Sequence, residues 1–290
     1  MPEPRSDSAA VIVTRAEHSA PRELSAGSGR AWVYSAKAPD KDGDNEDAAG
    51  FLPYGEEAAV LVVADGVGGE RAGAQASRLA VRSLANALAQ GARRGLALRV
   101  AILDGIEKAN HAVSDLGGGA TTIAVLQIEE HVARPYHVGD SGILIVGQRG
   151  RVRHQNIAHG PVGYAVEAGL LDAGEALHHE ARNVVSNVVG STDMRIEVGP
   201  SVMLAPLDTA LLATDGLFDN LYEAEIVARV RKGPLEVVAA DLAASATRRM
   251  ERPRAGKPSK PDDLTFIVYR RGASRSRRGK DSTGEGVSDG

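Results

Sequence analysis

The sequence predicts an α+β protein in which two antiparallel sheets pack face to face with a pair of helices outside each, making a four-layer α-β-β-α sandwich. Short apolar stretches of strand length follow one another, with turns too short for parallel crossovers. Two pairs of segments with helical spacing of apolar residues interrupt these strands. Each sheet and each helix has an apolar face to bury, and stacking in layers buries all of them.

Strands and helix pairs alternate along the chain. Strands are predicted at residues 11–14, 31–35, 48–51, 58–64, 121–128, 132–138, 143–146, 198–204, 209–213 and 264–269. Helices are predicted at 70–90, 95–114, 222–231 and 234–250, where apolar residues recur every three or four positions. The Ser, Gly and Pro residues at 19–29 predict a connection without regular structure.

One domain is predicted to span residues 9–271. Residues 1–8 are polar, and the Ser/Gly/Arg-rich segment 272–290 has almost no apolar side chains, so both ends are predicted to be disordered. Residues 154–193 are rich in His, Gly and Ala, and 181–189 is their best helical stretch. We interpret 154–193 as a flap inserted over the sheets.

Composition excludes several classes of function. The net charge of −4 gives no basis for a nucleic-acid surface. The absence of cysteine excludes disulfides, thiolate metal sites and a cysteine nucleophile. No apolar run approaches the roughly 18 residues of a membrane span, and the first residues lack the apolar core of a signal peptide. We therefore expect a cytoplasmic monomer with no membrane span.

The stretch 58–73 combines a buried strand, a carboxylate and a glycine-rich turn. Seven apolar residues end in Asp65, and Gly66, Gly68 and Gly69 follow before a helical pattern begins. By itself this pattern fits a strand-to-helix turn with a helix-capping Asp65, or a site where a carboxylate and a bare carbonyl bind a divalent cation. A nucleotide-binding loop fits poorly, because Asp65 would repel a pyrophosphate.

Further carboxylates adjoin predicted strands elsewhere in the chain. These positions are Glu46-Asp47, Asp65, Asp140, Asp215 and Asp262. A carboxylate beside a buried strand is costly unless it has a partner. Positions so far apart in sequence are most simply explained by a common cation. With no cysteine, and with the histidines clustered in the flap, the ligands are oxygen atoms, which favours Mg²⁺ or Mn²⁺ over Zn²⁺.

Six motifs appear in a fixed order around these carboxylates. They are Asn45-Glu46-Asp47, Asp65-Gly66-Val67-Gly68-Gly69, Gly119-Ala120-Thr121-Thr122, Val138-Gly139-Asp140-Ser141, Ala213-Thr214-Asp215-Gly216-Leu217-Phe218-Asp219 and Asp262-Asp263-Leu264-Thr265. From about residue 30 to 270, their order and spacing resemble the PP2C (PPM) family of metal-dependent protein serine/threonine phosphatases, in its bacterial type. The resemblance implies an α-β-β-α sandwich with a dinuclear Mn²⁺ or Mg²⁺ centre in a cleft at the sheet edges.

The resemblance also implies ligands for the two ions. Asp65 would bridge them, and Gly66 would offer its carbonyl oxygen to one. Asp215 and Asp262 would bind the other ion. Asp263 stands where the family usually has Asn, so the implied ligand is Asp262 and not Asp263.

Four more acidic residues receive roles by the same resemblance. Glu46 would bind through its carboxylate or a bound water, and Asp47 would hold metal-bound waters. Asp140, with Asp219 nearby, resembles the ligands of a third, weaker ion in bacterial members. Asp65, Glu46 and Asp47 are thus the implied catalytic residues.

The activity implied is hydrolysis of phosphoserine and phosphothreonine by a metal-bridging hydroxide that attacks phosphorus in line. The substrate would be a phosphorylated protein, with a Ser/Thr kinase or its targets as partners. Two alternatives stay open: a catalytically weak pseudophosphatase that acts as a phosphoprotein-binding regulatory module, and a metal hydrolase for small phosphate esters.

Three positions depart from the family pattern. Val67 stands where many eukaryotic members carry a His proposed as general acid. Asp42 replaces the Arg that typically grips the phosphate, which leaves Lys41 as the phosphate-binding substitute. Gly142 stands where an Arg is common. These departures concern the hold on the substrate and leave the implied metal ligands unchanged.

The flap contributes further candidates. We expect His154, His159, His178 and His179 to be exposed or capping residues and not catalytic ones. Residues 160–164 form a candidate hinge or substrate-facing loop. Asn183 and Asn187 are spaced to share one face of a helix and to line the cleft.

Overall fold

The computed structural model describes residues 10–26 and 29–271. The strands in these ranges are β1 Val11–Thr14, β2 Arg22–Ala26, β3 Gly29–Ala36, β4 Ala48–Tyr54, β5 Ala58–Ala64, β6 Gly66–Val67, β7 Ala120–Thr121, β8 Ile123–Glu129, β9 Val132–Val138, β10 Gly142–Val146, β11 Val152–Gln155, β12 Glu197–Val198, β13 Val202–Met203, β14 Thr209–Ala213 and β15 Leu264–Arg271. The helices are α1 Glu70–Arg93, α2 Leu98–Ser114, α3 Pro161–Glu167, α4 Ala173–Ala176, α5 Asp215–Phe218, α6 Glu223–Val230 and α7 Leu235–Glu251.

Two antiparallel sheets carry the fold, as predicted. The first has the order β1-β4-β5-β8-β9-β12, with β13 also paired to β9. The second has the order β11-β10-β14-β15-β3-β2. A short ribbon of β6 and β7 stands apart from both. Four pairs of consecutive strands are joined by short segments, namely β2–β3, β4–β5, β8–β9 and β10–β11. Other pairs join strands far apart in sequence, such as β3 and β15.

Three apolar layers separate the four structural layers. Along β5, Leu61 and Val63 face the core between the sheets, whereas Val60 and Val62 face the α1–α2 pair. The alternation explains why this strand is apolar at every position: both of its faces are buried. On the opposite side, the second sheet packs against α5, α6 and α7. The α-β-β-α sandwich is confirmed.

The edges of the second sheet differ from the prediction. Residues 22–26, predicted as part of a connection, form the edge strand β2, which pairs with β3 through the register Glu23–Trp32. The sequence signal for this strand is weak, since Arg22 and Glu23 are exposed and only Leu24 among these first three residues is buried. Residues 152–155, at the start of the predicted flap, form the other edge strand, β11. Polar residues are typical of edge strands, which solvent contacts on one side.

Two predictions within 154–204 are wrong. Residues 181–189 are not helical: residues 181–183 form a turn and Val189 forms an isolated bridge, and the flap helices are α3 and α4 instead. The predicted strand 198–204 is split into β12 and β13, because Pro200 lacks the N–H group that a ladder needs. The disorder predicted for 1–8 and 272–290 lies outside the described residues. Among the described helices, none has the length and apolar character needed to cross a membrane.

Candidate metal centre

Strand pairing brings the predicted acidic residues to one end of the sandwich. In the first sheet Ala48 lies opposite Ala64, so Asp47, just before β4, and Asp65, just after β5, leave the sheet side by side. Across the two sheets, Thr214 Oγ1 donates a 2.8 Å hydrogen bond to Asp47 Oδ2. The carboxylates of both sheets therefore face one cleft.

The second sheet supplies the remaining carboxylates by the same logic. Ala213 of β14 lies opposite Phe266 of β15 and also opposite Gly142 of β10. The residues that follow β14, precede β15 and precede β10 are therefore neighbours. These residues are Asp215, Asp262 and Asp140.

The five carboxylates act on one another electrostatically. Burial raises the pKa of Asp65 well above its usual range, and the negative charges of nearby carboxylates raise it further; these are Asp215, Asp47, Asp140 and Asp262. Burial and the charges of Asp215 and Asp219 likewise raise the pKa of Asp140 to about 7. Such mutual repulsion favours a bound cation. We call these carboxylates, with Glu46 and Asp219, the acidic cluster.

The main chain of Asp65 is fixed by the two threonines of the Gly-Ala-Thr-Thr motif. Thr122 Oγ1 lies 3.1 Å from the Asp65 N–H and accepts its hydrogen bond, and Thr122 N–H donates to the Asp65 carbonyl oxygen at 2.8 Å. Thr121 Oγ1 donates to the same oxygen at 2.6 Å. Gly66 then pairs with Thr121 in the small ribbon. The motif thus positions the glycine turn without engaging the Asp65 carboxylate.

Two buried carboxylate oxygens in the cluster lack a hydrogen-bond donor among the described residues: Asp47 Oδ1 and Asp215 Oδ1. Asp47 is only 1% exposed. A buried acceptor without a donor costs free energy that a cation, or a water bound to one, recovers. With an all-oxygen donor set, these residues fit Mn²⁺ or Mg²⁺.

Asp262 and Asp263 have different surroundings. Asp263 is buried, and its two oxygens accept hydrogen bonds from Ala38 N–H at 2.8 Å and Glu46 N–H at 2.6 Å, and from Lys41 Nζ at 2.7 Å. Asp263 therefore ties the loop between β3 and β4 to the start of β15. The Asp262 side chain is 33% exposed, and its charge acts on Asp65 and Asp219. Asp262 is the better placed of the two to bind an ion in the cleft.

Lys41 lies beside Glu46 at the edge of the cleft. Its Nζ is 2.7 Å from Glu46 Oε2 and 2.7 Å from Asp263 Oδ2. Burial alone would lower the pKa of Lys41, but its hydrogen bonds and the charges of Asp263 and Glu46 raise it above the usual range. From α1, Ser77 Oγ donates to the Glu46 carbonyl oxygen at 2.5 Å. The lysine is thus cationic and held near a proposed ligand.

The structure explains the glycine at position 142. A Cβ on Gly142 would lie only 2.1 Å from Cε2 of Phe218 in α5. An arginine at this position would have no room for its first side-chain carbon unless Phe218 moved. The close approach of Phe218 therefore requires a residue without a Cβ at position 142.

Lys260, which the sequence did not suggest, contacts three carboxylates of the cluster. Its Nζ lies 2.5 Å from Asp215 Oδ2, 3.0 Å from Asp262 Oδ2 and 3.2 Å from Asp219 Oδ2. Burial would lower the pKa of Lys260, but the charges of these carboxylates raise it above its usual range. The only local signal is a lysine two residues before Asp262.

His159 is buried, contrary to the expectation of an exposed or capping residue. It is 4% exposed, and it contacts Gly139 twice: its N–H donates to the Gly139 carbonyl at 3.0 Å, and its Nδ1 accepts from the Gly139 N–H at 3.1 Å. His178 and His179 are exposed as expected, and His154 is partly buried. Because Gly139 precedes Asp140, His159 fixes the turn that carries this carboxylate.

Asn183 and Asn187 do not share a helical face, since 181–189 is not helical. Asn187 is buried, and its Nδ2 lies 2.9 Å from His159 Nδ1. It also exchanges two hydrogen bonds with the main chain of Arg195. Residues 160–164 lead into and begin α3. Asn187 thus supports the turn that holds His159.

A compact group outside the acidic cluster consists of His137, His159 and Glu197. Within the described ranges it is the only trio of His, Asp or Glu residues with ligand atoms all within 4.8 Å of one another. However, His159 Nδ1 accepts the Gly139 N–H, so its proton sits on Nε2, which donates to Glu197 Oε2 at 3.0 Å. His137 Nε2 lies 2.8 Å from the Ile157 carbonyl. With these nitrogens engaged, the trio favours hydrogen bonding over metal binding.

The raised pKa values predict how the metal-free protein responds to pH. Five carboxylates are raised above their unfolded values, namely Asp47, Asp65, Asp140, Asp219 and Asp262. Between about pH 4 and pH 7 the folded state therefore binds more protons than the unfolded state, and the free energy of unfolding falls as pH rises. Three histidines oppose this trend. Burial lowers the pKa values of His18 and His154, and burial together with His159 lowers the pKa of His137 to about 4.

We expect thermal unfolding in EDTA to show a lower Tm at about pH 7.5 than at about pH 5, with the five carboxylates outweighing the three histidines. Asp140→Asn should flatten this dependence, because it removes one of the raised groups. Saturating Mn²⁺ at the higher pH should restore the lost stability. A metal-free Tm that rises steadily across this window would contradict the assignment.

Comparison with known proteins identifies the family of this two-sheet fold and its acidic cleft. A family model described as "Protein phosphatase 2C" matches residues 39–246, about seven-tenths of the chain. The chain belongs to the protein phosphatase 2C family.

Individual relatives agree with this assignment. Protein phosphatase PhpP of Streptococcus pneumoniae is 33% identical over 178 residues, which are 58% of this chain and 70% of that protein. The solved serine/threonine phosphatase of S. agalactiae is 26% identical, with a TM-score of 0.69 over 82% of this chain and 97% of that one. The solved catalytic domain of the phosphatase PstP, in complex with two manganese ions, is 21% identical with a TM-score of 0.64; the alignment covers 83% of this chain and 97% of that one.

Proposed function

We propose that this chain hydrolyses phosphoserine and phosphothreonine in phosphorylated proteins, with two divalent cations, Mn²⁺ or Mg²⁺, held by the acidic cluster. The observation that carries the proposal is the convergence of the cluster in one cleft, with two buried carboxylate oxygens that lack donors. Family membership and the named relatives support a protein phosphatase over a regulatory module without turnover.

The roles that we propose for the residues follow from their positions. Asp65 would contact both ions, with the Gly66 carbonyl on one of them. Asp215 and Asp262 would bind the other ion, and Glu46 would bind directly or through water. Asp140 and Asp219 would hold a third, weaker ion. When bound, the cations would lower the pKa of a water nucleophile and neutralise the charge of the phosphate.

Asp47 is placed to accept a hydrogen bond from that water molecule. Thr214 Oγ1 engages its Oδ2 and leaves Oδ1 free to accept a second hydrogen bond. A buried acceptor of this kind orients a water molecule and receives one of its protons as a hydrogen bond. Val67 is 38% exposed and has no proton to give, so we propose that solvent protonates the leaving alkoxide.

The proposed partners are a phosphorylated protein and, as its source, a Ser/Thr kinase or that kinase's targets. We propose that the chain acts on them as a monomer in the cytoplasm. The manganese in the solved PstP domain supports Mn²⁺ as the first ion to test.

The test is release of phosphate from a phosphothreonine peptide and from p-nitrophenyl phosphate, in EDTA, Mg²⁺ or Mn²⁺. We expect metal-dependent hydrolysis of both, which EDTA abolishes. Hydrolysis of p-nitrophenyl phosphate without any activity on phosphopeptides would favour a hydrolase of small phosphate esters. Inactivity on both, with Mn²⁺ bound, would favour the regulatory module.

Lys41 offers a second test, because it is the proposed phosphate-binding substitute for the missing arginine. Lys41→Met should lower kcat/KM for the phosphopeptide by roughly 10–100-fold, since a charge-assisted contact to phosphate is lost. Lys37→Met is the matched control, since among the described residues Lys37 forms an ion pair with Glu17 at 3.4 Å and none with the cluster. Steady-state kinetics at saturating Mn²⁺ measure the effect. Equal kcat/KM values for the two variants would exclude a phosphate-binding role for Lys41.

A further inference from the structure

Lys260 lies within the acidic cluster, where it forms ion pairs with three carboxylates. An ammonium group has three N–H donors, and three carboxylate oxygens lie within hydrogen-bonding distance. These are Asp215 Oδ2 at 2.5 Å, Asp262 Oδ2 at 3.0 Å and Asp219 Oδ2 at 3.2 Å. The Lys260 side chain is 18% exposed. It is therefore a counter-ion of the cluster and not a solvated surface lysine.

The fold holds the Lys260 main chain against α5, the helix that begins with Asp215. Asn220, which is 0% exposed, accepts from the Lys260 N–H through Oδ1 at 2.9 Å and donates from Nδ2 to the Lys260 carbonyl at 2.8 Å. The same Nδ2 donates to the Gly216 carbonyl at 3.0 Å. A paired contact of this kind fixes where the lysine leaves the backbone, so the ammonium is placed by built-in structure.

The carboxylates that Lys260 contacts are also proposed metal ligands. Asp215 and Asp262 are the carboxylates proposed for one ion, and Asp219 is proposed for the third. Asp215 Oδ1 lacks a donor whereas Asp215 Oδ2 is held by Lys260, so the ammonium occupies one side of this carboxylate. A cation close to these oxygens also repels a second one.

We propose that Lys260 is an internal cation that competes with divalent metal for Asp215, Asp262 and Asp219. In the metal-free protein it holds the three carboxylates together. A metal ion can bind only when the ammonium releases these oxygens. Lys260 therefore weakens metal binding by the three carboxylates and raises the Mn²⁺ concentration needed to occupy their site. The inference rests on the proposed metal centre and adds a residue that regulates its occupancy.

The test compares Mn²⁺ binding and thermal stability in wild type, Lys260→Met and Lys260→Arg. By isothermal titration calorimetry, Lys260→Met should bind Mn²⁺ more tightly by roughly 10–100-fold, because a positive charge beside the ligand oxygens no longer repels the ion. In EDTA the same variant should melt at a lower temperature than wild type, because three carboxylates lose their counter-ion. Lys260→Arg keeps the charge and should retain the weaker binding.

Lys257→Met is the matched control in the same loop. Lys257 is 45% exposed, lies 3.9 Å from Glu225 and stands 5.1 Å from the centre of the Tyr222 ring. Its replacement should leave the Mn²⁺ affinity unchanged.

If wild type binds Mn²⁺ and Lys260→Met binds it equally or more weakly, the proposal that Lys260 competes with metal is wrong. Lys260 would then be a residue that positions the ligands. Absence of Mn²⁺ binding by wild type and variant alike would instead overturn the proposed metal centre.

Discussion

Asp65→Asn should abolish metal-dependent phosphate release, with kcat falling by at least about a thousandfold. Asp65 is the residue that we propose to contact both ions, and an amide is a weaker ligand with no charge to offer. The Asp65 main chain is held by Thr121 and Thr122, so the substitution should leave the backbone in place. Steady-state hydrolysis of a phosphothreonine peptide in Mn²⁺ measures the effect.

The same variant should become more stable when metal is absent. Burial and four neighbouring carboxylates raise the pKa of Asp65, so its charge opposes folding at neutral pH. Asp65→Asn removes that charge, and its Tm in EDTA should exceed that of wild type, while the stabilisation by Mn²⁺ should shrink. The matched control is Asp104→Asn, which affects an exposed pair with Lys108 and should change activity by less than about twofold. A fully active Asp65→Asn enzyme would exclude the proposed role.

Gly216→Ala should both destabilise the protein and disrupt the acidic cluster. Gly216 lies in the first turn of α5, and a Cβ there would stand only 1.9 Å from the Asp263 carbonyl oxygen. The three atoms nearest to this Cβ all belong to the backbone of Asp263 and Leu264, so relief requires α5 to move away from the start of β15. That movement separates Asp215 from Asp262. We expect a loss of about 3 kcal/mol or more in the free energy of unfolding, with weaker Mn²⁺ binding.

Gly118→Ala is the control for this effect. Gly118 is exposed, no atom would lie within 4 Å of its added Cβ, and it is not among the glycines with positive φ. Its replacement should change the free energy of unfolding by less than about 1 kcal/mol. Chemical denaturation of both variants, beside calorimetric Mn²⁺ titration, measures the difference. If Gly216→Ala unfolds like Gly118→Ala, the close packing of α5 on β15 is not required.

The sequence predicted the layers and the cleft because both depend on local patterns. Strand β5 is apolar at every position. Asp65 directly follows β5, and Asp215 follows β14 after one intervening residue. In antiparallel sheets, the residue before one strand and the residue after its neighbour emerge at the same edge. The order of the motifs then allowed a resemblance to supply roles that pairing alone does not define.

Features that depend on distant partners were missed. Lys260 reaches the cluster only because Asn220, forty residues earlier, binds its main chain on both sides. His159 looked like one histidine of a polar flap, but its contacts with Gly139 bury it. Residues 181–189 have apolar residues near helical spacing, yet four of them are valines, and Val189 pairs with Thr121 in an isolated bridge.

The most direct test of the metal centre is anomalous diffraction from crystals of the chain grown with Mn²⁺. The account predicts two manganese peaks about 4 Å apart in the cleft. Asp65 should contact both, with Asp215 and Asp262 on one of them. A single peak at His137, His159 and Glu197, with none beside Asp65, would contradict the account. It would show that these three residues form the metal site instead.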